Sequence, residues 1–144
     1  MTDYLDPTRE QFGVMMKLPD DGPIHMLNLV RFRDEAAYPD GHPNAGADLS
    51  GAAAYRAYGA ASAPIFERVG GAIVQVWDPR LVLIGPEDEV WDKAFVAGYP
   101  SAAAFGEMVK DPDYQKAVVH RQAAVLTSRL IRMAPLQATA GFSD

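Results

Sequence analysis

Apolar and polar positions alternate along "PIHMLNLVRF" (23–32). Ile24, Met26, Asn28, Val30 and Phe32 share one face, and His25, Leu27, Leu29 and Arg31 share the other, as successive side chains of a strand do. Both faces are mostly apolar, which predicts a central strand covered on both sides. Asn28 interrupts its apolar face, and a buried amide needs partners. Three further segments read as strands: "AIVQVW" (72–77), "VWDKAFVAGY" (90–99) and "AVLTSRLIRM" (124–133). The segment 78–89 between the second and third is a long hairpin connection with its own short apolar piece.

The remaining segments have helical spacing. In "DPTREQFGVMMKL", Thr8 and Gln11 form a capping-box pattern, and Phe12, Met15 and Met16 make one apolar face. A second helix is expected over 49–63, starting near Ser50, with Tyr55, Tyr58 and Ser62 on one face. Pro64 is expected to kink or restart it, and Gly70-Gly71 to end it. After the third strand, Ser101 is an N-cap for a short helix carrying Ala104, Phe105, Met108 and Val109. Asp111-Pro112 then serves as N-cap and first position of another helix, with Tyr114, Ala117, Val118 and Arg121 in a stripe. "DEAAYPDGHPNAGADLSG" (34–51) is a long loop of the kind that forms lids or mobile surface. The tail "APLQATAGFSD" is expected to be loosely ordered.

After the leading helix the order is strand, helix, strand, strand, helix, strand. That is the α+β, ferredoxin-like βαββαβ pattern, with an extra N-terminal helix and a second short helix before the last strand. One domain is expected over residues 1–144, its core at about 23–133. Helices cover one sheet face and leave the other bare. A second copy of the chain is expected to cover those apolar residues, giving a homodimer.

Composition narrows the classes. The chain has 144 residues, a net charge of −6 and no cysteine. No basic cluster exists to neutralise phosphates, so nucleic acid is not an expected partner. Without cysteine there are no disulfides and no thiolate ligands. The polar N-terminus has no signal-peptide pattern, and no apolar run reaches the roughly 18 residues of a membrane span. A cytoplasmic location without membrane contact is expected.

Asn28 can aim its amide at a ligand carbonyl or a developing oxyanion. Trp91 offers a stacking wall, or is a core residue. Asp92 is a base, or a structural partner of Arg31 or Arg129. These two arginines can hold a carboxylate, or pair with Asp92, Glu67 or Glu89. Tyr55, Tyr58, Tyr99 and Tyr114 are a set of phenols with packing or binding roles. His120 is a candidate general base or haem ligand. His25, His42 and His120 lack metal-ligand spacing, so no metal is expected. No nucleophile motif or phosphate cradle occurs.

The segments "PIHMLNLVRF", "AYRAYG", "VGG", "WDKAFVAGYPSAAAFGEMVKDPDYQKAVVHRQA" and "SRLI" together resemble the family catalogued as domain of unknown function 1330, in the dimeric α+β barrel superfamily. The resemblance runs from about Pro23 to Ile131. It implies a ferredoxin-like fold whose sheets pair across a dimer into a barrel. The wider superfamily includes cofactor-independent monooxygenases, lactone isomerases and ligand-sensing domains, a range that separates fold from function.

The expected function is therefore a ligand pocket at the sheet face, with Asn28, Asp92 and His120 as catalytic residues and Arg31, Tyr55, Trp91, Tyr99 and Arg129 as binding residues. It would carry out cofactor-independent oxidation or isomerisation of a small carbonyl or carboxylate compound. The first alternative is a non-catalytic dimeric binding or sensor module. The second is a haem-binding or haem-degrading protein, since Asn28, Trp91 and His120 follow the order seen in haem-degrading relatives. No cofactor is expected in the leading reading.

Overall fold

The computed structural model describes residues 4–142. The elements run α1 (Arg9–Lys17), β1 (Ile24–Phe32), α2 (Gly51–Arg68), β2 (Ala72–Trp77), β3 (Lys93–Tyr99), α3 (Ala102–Lys110), α4 (Pro112–Ala124) and β4 (Val125–Met133). The strands form one four-stranded antiparallel sheet in the order β2-β3-β1-β4, the ferredoxin-like arrangement. Among the described residues no helix is long and apolar enough to cross a membrane. Positions 134–142 of the tail form no regular element, and residues 143–144 of that segment, like residues 1–3 at the other end, lie outside the described residues.

Local chemistry sets the helix boundaries. The Thr8 hydroxyl accepts from the Gln11 amide at 3.0 Å, and the capping box is complete. Ser50 and Ser101 cap α2 and α3, each accepting a backbone N–H at 3.0 Å. Pro64 lies inside α2, which continues through it to Arg68 instead of restarting. The expected restart fails because the tertiary packing of Ser62 and Ile65 holds both sides of the proline in one helix. A Schellman end follows: Gly70 donates to the Glu67 carbonyl at 3.0 Å and Gly71 to the Phe66 carbonyl at 2.8 Å. Gly70 has φ +89°, which a glycine adopts without strain.

The break between α3 and α4 is built from Asp111. Its Oδ1 accepts from the amides of Asp113 (2.7 Å) and Tyr114 (3.3 Å), and its Oδ2 accepts from the Arg68 guanidinium at 2.5 Å. Pro112 occupies the first turn, where its missing N–H costs nothing. The new helix axis then carries Tyr114 and Arg121 over the sheet.

The cross-strand register places Met26, Asn28 and Val30 of β1 beside Ala97, Phe95 and Lys93 of β3. That face is covered by the helices. Its core falls into two clusters, one around Ile24, Met26, Tyr99, Phe105 and Met108, the other around Val30, Ala54, Tyr55, Ala124 and Val125. The opposite face carries Leu27 and Leu29, which are half-buried within one chain rather than covered as the alternation of β1 predicted. Val74, Trp77 and Ile131 are about half exposed, and Leu81, Leu83 and Ile84 in the 78–92 connection stand almost fully in solvent.

Candidate functional site

The sheet and the helical layer do not close on each other between the two core clusters. Small residues face one another there: Ala97 on β3, and Gly59, Ser62 and Ala63 on α2. They leave a cavity of about 900 Å³, at the upper end of the range for small-molecule sites. Met26, Asn28, Phe95 and Leu130 form its floor. Tyr55, Tyr58, Tyr114 and Val118 form its roof, and Phe12 and Met15 of α1 close one side.

Five of the chain's six tyrosines line this cavity, all but Tyr38. The Tyr58 and Tyr114 hydroxyls share a hydrogen bond of 2.8 Å. Tyr55 lies against Tyr58 with ring centroids 5.4 Å apart, and Tyr99 packs edge-on against Phe105 at 5.2 Å. Burial raises the pKa of Tyr55, Tyr58, Tyr99 and Tyr114 above the ordinary phenol value of 10.0, and neighbouring phenols push Tyr55, Tyr99 and Tyr114 further in the same direction. Arg121 opposes the shift at Tyr55, Tyr58 and Tyr114 only in part. The phenols are therefore protonated at neutral pH and act as hydrogen-bond donors, not bases.

Asn28 is buried on the cavity floor. Its Nδ2 donates to the Met26 carbonyl at 3.1 Å, and among the described residues no donor is bonded to its Oδ1. The amide thus retains one N–H and its oxygen for a ligand.

The eight residues singled out from the sequence divide into two groups. Asn28, Tyr55, Tyr99 and Arg129 line the cavity; Arg31, Trp91, Asp92 and His120 do not. Arg129 is held by Glu89 at 3.1 Å and lies over the rings of Tyr4 and Trp91, at 4.8 and 5.3 Å. Arg31 donates to the Asp88 carbonyl at 3.2 Å.

Asp92 precedes β3, which begins at Lys93 and not at 90 as the pattern predicted. The β1–β4 pair slips register between Arg31 and Phe32; on the β3 side of β1 the Asp92 carboxylate takes the Phe32 N–H at 2.7 Å while its own N–H reaches the Val30 carbonyl at 2.8 Å. Asp92 therefore replaces a ladder bond with a side chain, and Trp91 lies outside the strand with it.

His120 belongs to a separate cluster. Its Nδ1 and the Tyr38 hydroxyl are 2.6 Å apart, His42 stacks on Tyr38 at 4.6 Å, and His42 meets His120 edge-on at 5.5 Å. The cluster fastens the 34–51 loop to α4. Burial, with the nearby His42 charge, holds the His120 pKa below its usual value. The three residues of the haem reading are thus not gathered at the cavity, since only Asn28 lines it. Among the described residues no three His, Asp or Glu converge to hold a metal ion.

Among the cavity residues not singled out from the sequence are two cations, Lys93 and Arg121. A signal existed for each. Lys93 alternates in phase with Phe95, Ala97 and Tyr99, and Arg121 continues the stripe of Tyr114, Ala117 and Val118, so each is a cation on an otherwise apolar face.

The fold and cavity define a ferredoxin-like α+β protein with an open cavity between sheet and helices. The chain belongs to the family described as domain of unknown function (DUF1330), which it matches over residues 45–133. It is similar to the RPA0582 protein of unknown function from Rhodopseudomonas palustris, with 54% identity over 95% of this chain and 100% of that one, and a TM-score of 0.87. The methylated form of RPA0582 gives 55% identity over 95% of this chain and 98% of that one, and a TM-score of 0.88. SnoaB, a cofactor-independent oxygenase from Streptomyces nogalater, is 15% identical over 85% of this chain and 100% of its own, with a TM-score of 0.46. No curated protein matches the chain.

Proposed function

We propose that the protein binds a mid-sized, largely apolar small molecule bearing a hydrogen-bond acceptor such as a carbonyl, in the cavity between sheet and helices. The carrying observation is a polar patch in an otherwise apolar space: the Tyr58–Tyr114 pair and the partly unpaired Asn28 amide, on walls of Met26, Phe95, Phe105 and Leu130. Such a space fixes one polar group of a ligand and buries the rest. Binding is favoured over proton transfer because neither Asp92 nor His120 lines the cavity, and the phenols that do are held protonated. Gly59 supplies the test. It lines the cavity, and a Cβ added there meets nothing within 4 Å, so Gly59→Trp can start a bulky side chain from open space and occupy the cavity. The neutral probe N-phenyl-1-naphthylamine should fluoresce on binding the native protein and not Gly59→Trp. Equal fluorescence from both would contradict the reading.

A homodimer is favoured by a second observation. Leu27 and Leu29 lie at the centre of the helix-free face, with Val74, Trp77 and Ile131 half exposed around them. Contiguous apolar surface of this kind is costly in water and is covered by a second copy when one is available. The exposed Leu81, Leu83 and Ile84 offer an arm toward that copy. Native mass spectrometry should give twice the chain mass; a monomer at micromolar concentration would contradict the dimer.

A further inference from the structure

We infer that the molecule bound in this cavity is an organic anion, an aryl or alkyl carboxylate whose charge lies between Lys93 and Arg121. The inference rests on the binding reading above and deepens it by naming the ligand's charge.

The charges on the cavity wall run against those of the chain. The net charge is −6, yet the lining carries Lys93, Arg121, Arg129 and Arg132 against one carboxylate, Asp6. Arg129 is neutralised by Glu89 at 3.1 Å. Arg132 is spent on the carbonyls of Met15 and Pro19, at 3.0 and 2.8 Å, closing the end of α1. Asp6 is held by the Gln122 amide, at 3.2 Å to its nearer oxygen.

Among the described residues Lys93 and Arg121 have no such counter-charge. Arg121 is 8% exposed and donates to two neutral acceptors, the Leu5 carbonyl and the Ser128 hydroxyl at 3.1 Å. The Lys93 ammonium lies over the rings of Tyr55 and Phe95, at 5.7 and 5.5 Å. Among the described residues neither forms a salt bridge with a carboxylate. A guanidinium has five N–H donors, and taking it out of water without an opposite charge is costly. The arrangement is suited to an anion that arrives with the ligand.

Tyr55 lies near both cations: the Lys93 ammonium is over its ring at 5.7 Å, and the Arg121 charge works against burial in setting its pKa. Arg121 also acts on the Tyr58 and Tyr114 hydroxyls. One carboxylate can therefore meet cations and neutral donors together, while Phe95, Phe105 and Leu130 take the apolar body. A small inorganic anion would leave those walls unfilled.

The test compares 2-naphthoate with the neutral isostere 2-naphthamide by calorimetric titration at low salt. Naphthoate should bind about tenfold or more tightly, as expected for charge-assisted over neutral hydrogen bonds. Lys93→Met, which removes one charge and keeps the apolar stem, should erase most of that preference by weakening naphthoate far more than naphthamide. Arg121→Gln should do the same, its fold checked by circular dichroism. Equal binding of the two probes, or a preference that Lys93→Met does not move, overturns the anion inference while the cavity reading stands. Binding of neither probe overturns both.

Discussion

The hydroxyls of Tyr58 and Tyr114, on different helices and 56 positions apart in sequence, lie 2.8 Å from each other at the cavity roof. The contact links α2 to α4 and fixes where the cavity presents its donors. Removing one hydroxyl leaves the other without a protein partner in a largely apolar wall. Tyr58→Phe and Tyr114→Phe should each cost about 1 kcal/mol of stability, and the double variant less than their sum. Urea unfolding of the four proteins measures this. Full additivity would mean that the two hydroxyls are not coupled.

Asp92→Ala should lower stability by about 1–2 kcal/mol, because the Phe32 N–H at the register slip loses a charged acceptor at 2.7 Å. Binding of N-phenyl-1-naphthylamine should be unchanged, since Asp92 does not line the cavity. A variant that folds as well as the native protein but fails to bind would return Asp92 to the site.

Gly51→Ala should be among the most damaging single-atom additions in the chain. A Cβ there would sit 2.1 Å from the Arg33 carbonyl oxygen and 2.8 Å from that of Ala124, both backbone atoms that cannot rotate away. The start of α2 must then move, at about 3 kcal/mol. Gly59→Ala, with open space at its Cβ, should instead be neutral or stabilising. Comparing the two melting temperatures separates close approach from helix propensity.

The Tyr38–His42–His120 cluster predicts a pH dependence. The folded pKa of His120 lies below the free value of 6.5. A depressed folded pKa means that the unfolded chain binds the proton more readily. Its contribution to stability is therefore present above about 6.5 and lost as pH falls through the folded pKa. Melting temperature should drop over that window, and less so in His120→Gln. Proton NMR should titrate His120 below 6.5; a value above it would reverse the sign.

The sheet and helices were legible because each rests on local signals. Thr8, Ser50, Ser101 and Asp111 all cap helices in the structure as their types and positions predicted. The start of β3 was not, because Trp91 and Asp92 fit the alternation, while in the structure the Asp92 side chain, not its backbone, takes the Phe32 N–H. For the site, strand phase placed Asn28 on an otherwise apolar face of β1. It could not say that Ala97, Gly59 and Ser62 would face one another and leave a void, because facing across layers is set by tertiary packing. Lys93 and Arg121 were missed for the same reason. Each sits in phase with an apolar stripe, but only the fold shows that among the described residues neither forms a salt bridge with a carboxylate.

The central claim is that the ligand enters the space between sheet and helices, not the bare face of the sheet. Amide chemical-shift mapping with 2-naphthamide tests it directly, since both surfaces are apolar and only their residues differ. The account predicts shifts at Asn28, Tyr55, Ser62, Tyr114 and Arg121, absent in Gly59→Trp. Shifts confined to Leu27, Leu29, Val74 and Trp77 would contradict it and move binding to the opposite face.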